Sequence, residues 1–233
     1  MSPAGETAKP PSDIGVMLSR VLEKNTDVLA AGNNFIVREP DHIVRIIRTI
    51  PSHEEGMYYV RWSIECLFVS KSDWVIWGPI GSRKKKHYSE AVHFPGNTTS
   101  TRLCSEVEEH TLPSLRTIPT LEAYYHRAID STRPVSLWPE VHFPLELAMG
   151  NFDAAQMLMR WHRKRWFDCK DPVVEQGSDH DFIQNLCKLL DAGNISGIAR
   201  ALRETEANSA STLGILHLWK PAPFPFETSA GSD

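Results

Sequence analysis

The chain has 233 residues, 41% hydrophobic and 23% charged, the proportions of an ordinary folded protein, so wholesale disorder is excluded. That length supports a sizeable core without metals or disulfides, as one large domain or a domain with an appendage. A formal charge of −4 excludes a surface built throughout to coat nucleic acid but leaves room for a local basic patch.

Residues 1–12 are mostly Pro, Ala, Gly, Thr and Ser without an apolar stretch, so no secretory leader is expected. The greasiest window, residues 58–69, is broken by Arg61 and Glu65, and no membrane span is expected. Cys66, Cys104, Cys169 and Cys187 are too scattered for a paired zinc site. They read as free thiols of a soluble cytoplasmic protein, with Cys66 on a predicted core strand and Cys104 and Cys187 on predicted helices expected to be buried.

Residues 1–11 read as a disordered tail. A predicted amphipathic helix opens at Asp13, with Ile14, Met17, Leu18, Val21, Leu22, Val28 and Leu29 at helical spacing and Gly32 as its C-cap. A β-rich block comes next. Residues 42–50 are rich in Ile and Val, with Val44, Ile46 and Ile50 on one face and Ile43, Arg45 and Ile47 on the other. Residues 58–68 carry the clearest strand pattern, Val60, Trp62, Ile64, Cys66 and Phe68 alternating with Tyr59, Arg61, Ser63 and Glu65. Residues 74–77 and 87–94 read as a third and a weaker fourth strand. The short loops between them predict an antiparallel meander with one half-polar face.

From Thr101 the period becomes helical. The first helix is expected to end near Leu112, because proline restricts the residue before it and Pro113 comes next. A second spans residues 120–129. Pro134 and Pro139 mark a connector, and Pro144 fits the first position of the next helix. The C-terminal third holds an internal echo: residues 147–155 (LAMGNFDAA) resemble residues 190–198 (LDAGNISGI). Each reads as helix, Gly-Asn turn, helix, with the glycine left-handed and the asparagine capping the second helix. Residues 220–233 read as a poorly ordered tail anchored only by Phe224 and Phe226. The expected organisation is thus an α+β sheet domain over residues 12–130 and a helical region over 131–219 packed on it. In fold class this is an N-terminal helix, a four-strand antiparallel meander and C-terminal helices that include two helical-hairpin-like units.

No HExxH, GxSxG, P-loop or GxGxxG pattern is present, and no cofactor or metal is expected. The nearest metal-like cluster, Asp179-His180-Asp181, reads as the acidic cap of a helix beginning near Phe182. His87 and His93 read as surface histidines on one strand face. Two basic clusters carry interleaved aromatics. Arg83, Lys84, Lys85 and Lys86 lie near Trp74 and Trp77, and Arg160, Arg163 and Arg165 accompany Trp161 and Trp166. Such groups suit a single strand of nucleic acid. The plainer reading is a solvated turn for the first, and for the second cations near a helix C-terminus with both tryptophans turned inward. On the polar sheet face, Arg45, Arg61 and Glu65 form either a covered ionic site for an anionic ligand or peptide, or surface ion pairs on an open face. The open face is the expectation.

The residues Pro40-Asp41-His42-Ile43-Val44-Arg45, the strand at 58–68, the run Leu112 to Ile118 (LPSLRTI) with Thr120 to Tyr124 (TLEAY), and the Gly-Asn-Phe-Asp-Ala-Ala turn give the chain a family likeness. In that pattern it resembles bacterial proteins of domain of unknown function 4304 over residues 12–165. The resemblance implies an α+β fold and brings no active site to carry over.

Seven tryptophans and the helical hairpins point to a non-enzymatic protein-binding module, of an accessory or immunity-like kind, with Arg45, Arg61, Glu65, Trp74 and Trp77 as its contact residues. The alternative is a nucleic-acid-binding protein or phosphodiesterase-like enzyme working through the two basic clusters.

Overall fold

The computed structural model describes residues 20–32, 34–51, 57–69, 76–79, 92–93, 97–129, 139–163, 166 and 178–229. Within them the chain is an α+β protein, a short helical segment succeeded by an antiparallel sheet and then by helices. It divides into two compact units interleaved in sequence, one from residues 1–40, 44–64 and 76–119, the other from 41–43, 65–75 and 120–233.

In the first unit, residues 20–24 (α1) are helical and the predicted helix stops there. Asn25 ends it by donating both its backbone N–H and its side-chain Nδ2 to the Val21 carbonyl, at 3.0 and 2.9 Å. Val28–Ala31 (β1) and Asn34–Val37 (β2) then form a hairpin, with Val28 opposite Val37 and Ala31 opposite Asn34. Gly32, expected as a helix C-cap, instead takes the left-handed conformation at φ 60° in the hairpin turn.

β2 pairs with Ile43–Pro51 (β3), whose other neighbour is Met57–Cys66 (β4), and β1 to β4 make the four-strand antiparallel run. Ile76–Pro79 (β5) pairs with β4 through Arg61–Pro79 to Ile64–Ile76 and includes residues 76–77 of the predicted third strand, whose residues 74–75 lie outside the described residues. Val92–His93 (β6), the described part of the predicted fourth strand, also pairs with β4, Met57 opposite His93. The four-strand run therefore starts with a hairpin that the helical spacing concealed.

Every residue from Ile43 to Ile47 is buried, so β3 is covered on both faces and the expected open face does not exist there. Arg45 is 3% exposed and Glu65 4%, whereas Arg61 is exposed. Arg45 Nη1 donates to the carbonyls of Ile118 and Pro119 at 3.4 and 3.0 Å. The cation thus stands just past a helix C-terminus, where the helix dipole favours it.

That helix is longer than expected. Asn97–Glu106 (α2), a π-helical stretch Val107–Thr111 and Leu112–Arg116 (α3) run on without a break, and Pro113 sits in the first turn of α3. Proline lacks an N–H and its ring crowds the carbonyl four residues back. The π turn widens the helix at that point: the Leu112 N–H reaches the Val107 carbonyl, and Ser114 Oγ donates to the His110 carbonyl at 2.8 Å. Arg116 anchors the segment to the hairpin, its Nε and Nη2 donating to the Asp27 carboxylate at 2.9 and 2.6 Å. This hydrogen-bonded guanidinium holds Asp27 below the usual carboxylate range.

In the second unit Thr120 Oγ1 accepts the Ala123 N–H and starts Leu121–Ile129 (α4). Pro139–Met149 (α5), Phe152–Arg163 (α6), Ser178–Asp191 (α7), Ile195–Thr212 (α8) and Pro225–Ser229 (α9) complete it. α5 touches α4, α6, α7, α8 and α9, and an unbroken run from Phe143 to Ala148 is buried. Pro139, not Pro144, opens α5, and Pro144 lies inside it. α7 begins at Ser178, so Asp179, His180 and Asp181 fall within its first turn and not ahead of it.

The expected C-terminal tail is ordered packing as far as residue 229: Phe224 is wholly buried and Phe226 nearly so. Cys66, Cys104 and Cys187 are free and buried, as expected, and Cys169 lies outside the described residues. Burial pushes the Cys187 thiol up to about 12 and the Cys66 thiol well above its ordinary value. Among the described residues no helix is long and apolar enough to cross a membrane.

Candidate functional site

The two Gly-Asn turns of the second unit share one backbone plan. Gly150 and Gly193 have φ of 81° and 64°. The N–H of Asn151 reaches the Glu146 carbonyl and that of Asn194 the Leu189 carbonyl, both at 2.9 Å, closing each helix with a six-residue loop of hydrogen bonding. The side chains then diverge. Asn194 Oδ1 accepts the Gly197 N–H at 2.9 Å and caps α8. Asn151 turns back and donates Nδ2 to Glu146 Oε2 at 2.8 Å.

Glu146 occupies the position that Leu189 holds in the other copy. Its buried carboxylate accepts from three donors: His142 Nε2 at 2.8 Å, the Tyr125 hydroxyl, shared between its two oxygens at 3.0 and 3.2 Å, and Asn151. Asn151 also donates to the Tyr125 oxygen at 2.9 Å. Burial alone pushes Glu146 up, but the donations from His142, Asn151 and Tyr125 outweigh it and the carboxyl lies below its ordinary range. A histidine held by a carboxylate is also the geometry of a general base. Here the donors of three elements all end on one carboxylate, and the arrangement ties α4 and α5 to the turn.

The carboxyl of Glu146 is lowered on folding, so its contribution is present above the unfolded value of about 4.5 and is lost as pH falls through the folded value. Glu146→Gln is expected to cost about 1–2 kcal/mol at neutral pH and to flatten the acid limb of a urea-unfolding series. An unchanged acid limb would show that the cluster carries no stability.

A second buried pair joins ends of the chain that lie far apart in sequence. His42 Nδ1 is 2.7 Å from Glu206 Oε1, and its Nε2 is 3.2 Å from the Pro223 carbonyl. Acceptors face both ring nitrogens, which suits the doubly protonated ring. The ring stacks on Phe224 at 4.3 Å and 19°. Arg203 lies 5.6 Å from the centroid of the same Phe224 ring and pairs with Glu227, which accepts the Phe224 N–H at 2.8 Å. Trp219 Nε1 donates to the Asp41 carbonyl at 3.0 Å. Burial pulls the imidazole down, but the hydrogen bond and charge of Glu206 outweigh it and the ring is raised; burial raises Glu206 itself. The two directions agree on one physical point, that the proton between Nδ1 and Oε1 is held to higher pH than on a free histidine, because its loss would leave an uncompensated buried carboxylate.

Both polar clusters spend their hydrogen bonds inside the fold, and the surface of α6 has a different character. Ala155, Leu158 and Met159 are buried, as is Trp166 just beyond the helix, while Met157 is 46% and Trp161 69% exposed. Asp153, Met157, Arg160 and Trp161 succeed one another along the exposed stripe at helical spacing. The expectation that both tryptophans turn inward therefore holds for Trp166, which packs on Phe143 and donates toward Glu140 Oε1 at 3.4 Å, and fails for Trp161.

Of the residues singled out in sequence, Arg45 and Glu65 are buried and Arg61 is exposed. Trp77 lies on β5, opposite Ser63 of β4. Trp74, Arg83, Lys84, Lys85, Lys86, Arg165 and His87 lie outside the described residues. Arg160 and Arg163 are exposed near the end of α6, and His93 lies on β6. Among the described residues no three His, Cys, Asp or Glu side chains gather as metal ligands.

Sequence reading missed His42, Glu206, Tyr125, His142 and Glu146. His142 and Glu146 stand four apart on one helix face, and Glu146 replaces a leucine of the other turn; those were the available signals. Nothing local marks His42 and Glu206. Comparison of the chain with family models, curated proteins and solved structures finds no match.

Proposed function

We propose that the chain is a non-enzymatic protein-binding module and that its contact surface is the exposed face of α6, in place of the sheet residues expected from sequence. The observation that carries this reading is Trp161, 69% exposed one helical turn from the exposed Met157. Covering the exposed part of a tryptophan recovers on the order of 3 kcal/mol at about 25 cal/mol per Å². A folded chain that leaves such a side chain in water, on a helix whose other face is well packed, supports recognition better than core packing. The helical hairpins support it further, because α5 and α7 pack against α6 within the unit and support its inner face.

The test is affinity capture with the wild-type chain and with Trp161→Ala, and then reconstitution of the captured protein from purified components. The expected result is a one-to-one complex whose Kd rises at least about tenfold in the variant. A complex indifferent to Trp161, or none retained by the wild type alone, would sink the reading.

A further inference from the structure

We infer that His42 is a proton-operated latch for residues 219–229: its fully protonated pair with Glu206 holds this C-terminal strap down, and loss of one proton lets the strap lift while the rest of the second unit stays folded. Past the end of α8 the chain runs from Leu213 to Phe224 without helix or strand, and α9 adds only a five-residue helix. Side chains hold the strap. Trp219 Nε1 donates to the Asp41 carbonyl, Arg203 pairs with Glu227, Phe224 and Phe226 are buried, and the Pro223 carbonyl faces His42 Nε2 at 3.2 Å. All of these groups belong to one compact unit.

The latch follows from counting protons. One ring nitrogen of His42 faces a Glu206 oxygen and the other a backbone carbonyl, so each contact needs a proton of its own. When one proton leaves, the other stays at Nδ1, because the buried carboxylate is the stronger acceptor and would otherwise face a lone pair at 2.7 Å. Nε2 then turns a lone pair toward the Pro223 carbonyl, and the strap loses its hydrogen bond to His42. The same loss removes the attraction of a cationic ring for Phe224, stacked on it at 4.3 Å. Lifting bares Phe224 and Phe226 and uncovers the Phe68 and Phe152 rings against which they pack.

The charges around the ring set the direction. Asp41 is its sequence neighbour, Glu206 and Arg203 come from α8, Glu227 from α9, and Cys66 of β4 stands near Glu206. Burial pulls the ring down, but Glu206, with a smaller push from Asp41, outweighs it. Arg203 and Glu227 compensate each other, and burial keeps the Cys66 thiol neutral. A lifted strap returns the ring to water and to about 6.5. Closure is therefore fully favoured below that pH and loses support as pH rises through the higher value of the closed pair.

The experiment is hydrogen exchange of the full chain read by mass spectrometry at about pH 6.5, 7.5 and 8.5, with labelling times scaled to the faster intrinsic exchange at higher pH. Strap amides are expected to be at least about a hundredfold less protected than those of α5 at every pH, which marks an opening that α5 does not share. Their protection is expected to fall about tenfold from the lowest pH to the highest. His42→Phe keeps an aromatic ring and has no proton to lose, so its strap should be poorly protected and insensitive to pH. Glu206→Gln keeps an acceptor for Nδ1 without the charge, and should move the fall down by about one pH unit or more, a shift that a merely structural contact would not produce.

Equal protection of strap and α5 at the highest pH would overturn the inference, since the strap would then open only with the whole chain. A flat wild-type profile, or a slope that survives in His42→Phe, would overturn it too. Should His42→Phe fail to fold, Glu206→Gln decides: a fall that stays at the wild-type pH refutes the latch.

Discussion

Replacing His42 by alanine is expected to destabilise the chain by about 3–5 kcal/mol, because it leaves the wholly buried Glu206 carboxylate without its partner. The loss falls on more than one bond. Glu206 Oε2 is buried and has no hydrogen-bond partner among the described residues, so the bond from His42 to Oε1 is its main compensation, with the charge of Arg203 a smaller one. The same histidine holds the Pro223 carbonyl and the Phe224 ring, so its removal also loosens the segment around α9. Glu206→Gln is expected to cost far less, about 1–2 kcal/mol, since it keeps an acceptor for Nδ1 and removes the charge. The double variant His42→Phe with Glu206→Leu, apolar on both sides, is expected to lie closer to wild type than His42→Ala does. Urea unfolding of the wild type, of His42→Phe and Glu206→Leu singly, and of the double variant gives the coupling directly, and additive effects would refute the pairing.

The pair also sets a pH dependence whose sign comes from the raised imidazole. The folded pair holds its proton above the unfolded histidine value of about 6.5. Its stabilisation is therefore complete below that value and lost as pH rises through the folded one. The window for measurement closes near pH 8.5, where the thiols of Cys66, Cys104 and Cys187, all raised by burial, begin to add losses of the same sign. Wild-type stability should fall between about pH 6.5 and 8.5, and His42→Phe should flatten that slope. Parallel curves for the two proteins would exclude the shared proton.

Gly150→Ala is expected to cost about 3 kcal/mol or more, against about 1 kcal/mol for Gly193→Ala. Both glycines are left-handed, so both alanines carry the same backbone penalty. The difference is packing. A Cβ on Gly193 meets nothing within 4 Å, whereas one on Gly150 stands 2.8 Å from the Phe226 Cβ and 3.5 Å from its Cα. Relief requires α9 to move as a body, because the obstruction is backbone and Cβ and not the end of a flexible side chain. Phe226 packs on Phe152 and Phe224, so that movement disturbs the His42 stack as well. Thermal melts of the two variants measure the gap, and proteolysis near residues 220–229 should quicken only in Gly150→Ala. Equal melting temperatures would show that α9 gives way freely.

The Gly-Asn turns were legible because their chemistry is confined to six residues: a glycine that accepts positive φ, an amide that reaches back to the previous turn, and apolar residues at fixed offsets. The strand around Val60 to Cys66 was legible for a similar reason, since period-two alternation survives any surroundings. The N-terminal region misled because Val21, Leu22, Val28 and Leu29 fit a seven-residue helical repeat across Asn25, the residue at which the helix actually stops. Pro113 misled because a π turn absorbs a proline that an α-helix would not.

By itself, then, the sequence determined the α+β class, the central strands, the helical hairpins and the burial of three thiols. Tertiary structure alone decided which charges were covered and which aromatics were left out. Periodicity places Arg45 and Glu65 on a sheet face without saying what lies above it, and both prove to be buried. Trp161 and Trp166 are five residues apart, about 140° around an ideal helix, so at most one belongs squarely to the packed side, and only the neighbouring helices choose which. His42 finds its acceptors on Glu206 and on Pro223, the latter 181 residues away. Backbone geometry is written in short windows of sequence, whereas burial and charge pairing depend on elements that meet only when the chain has folded.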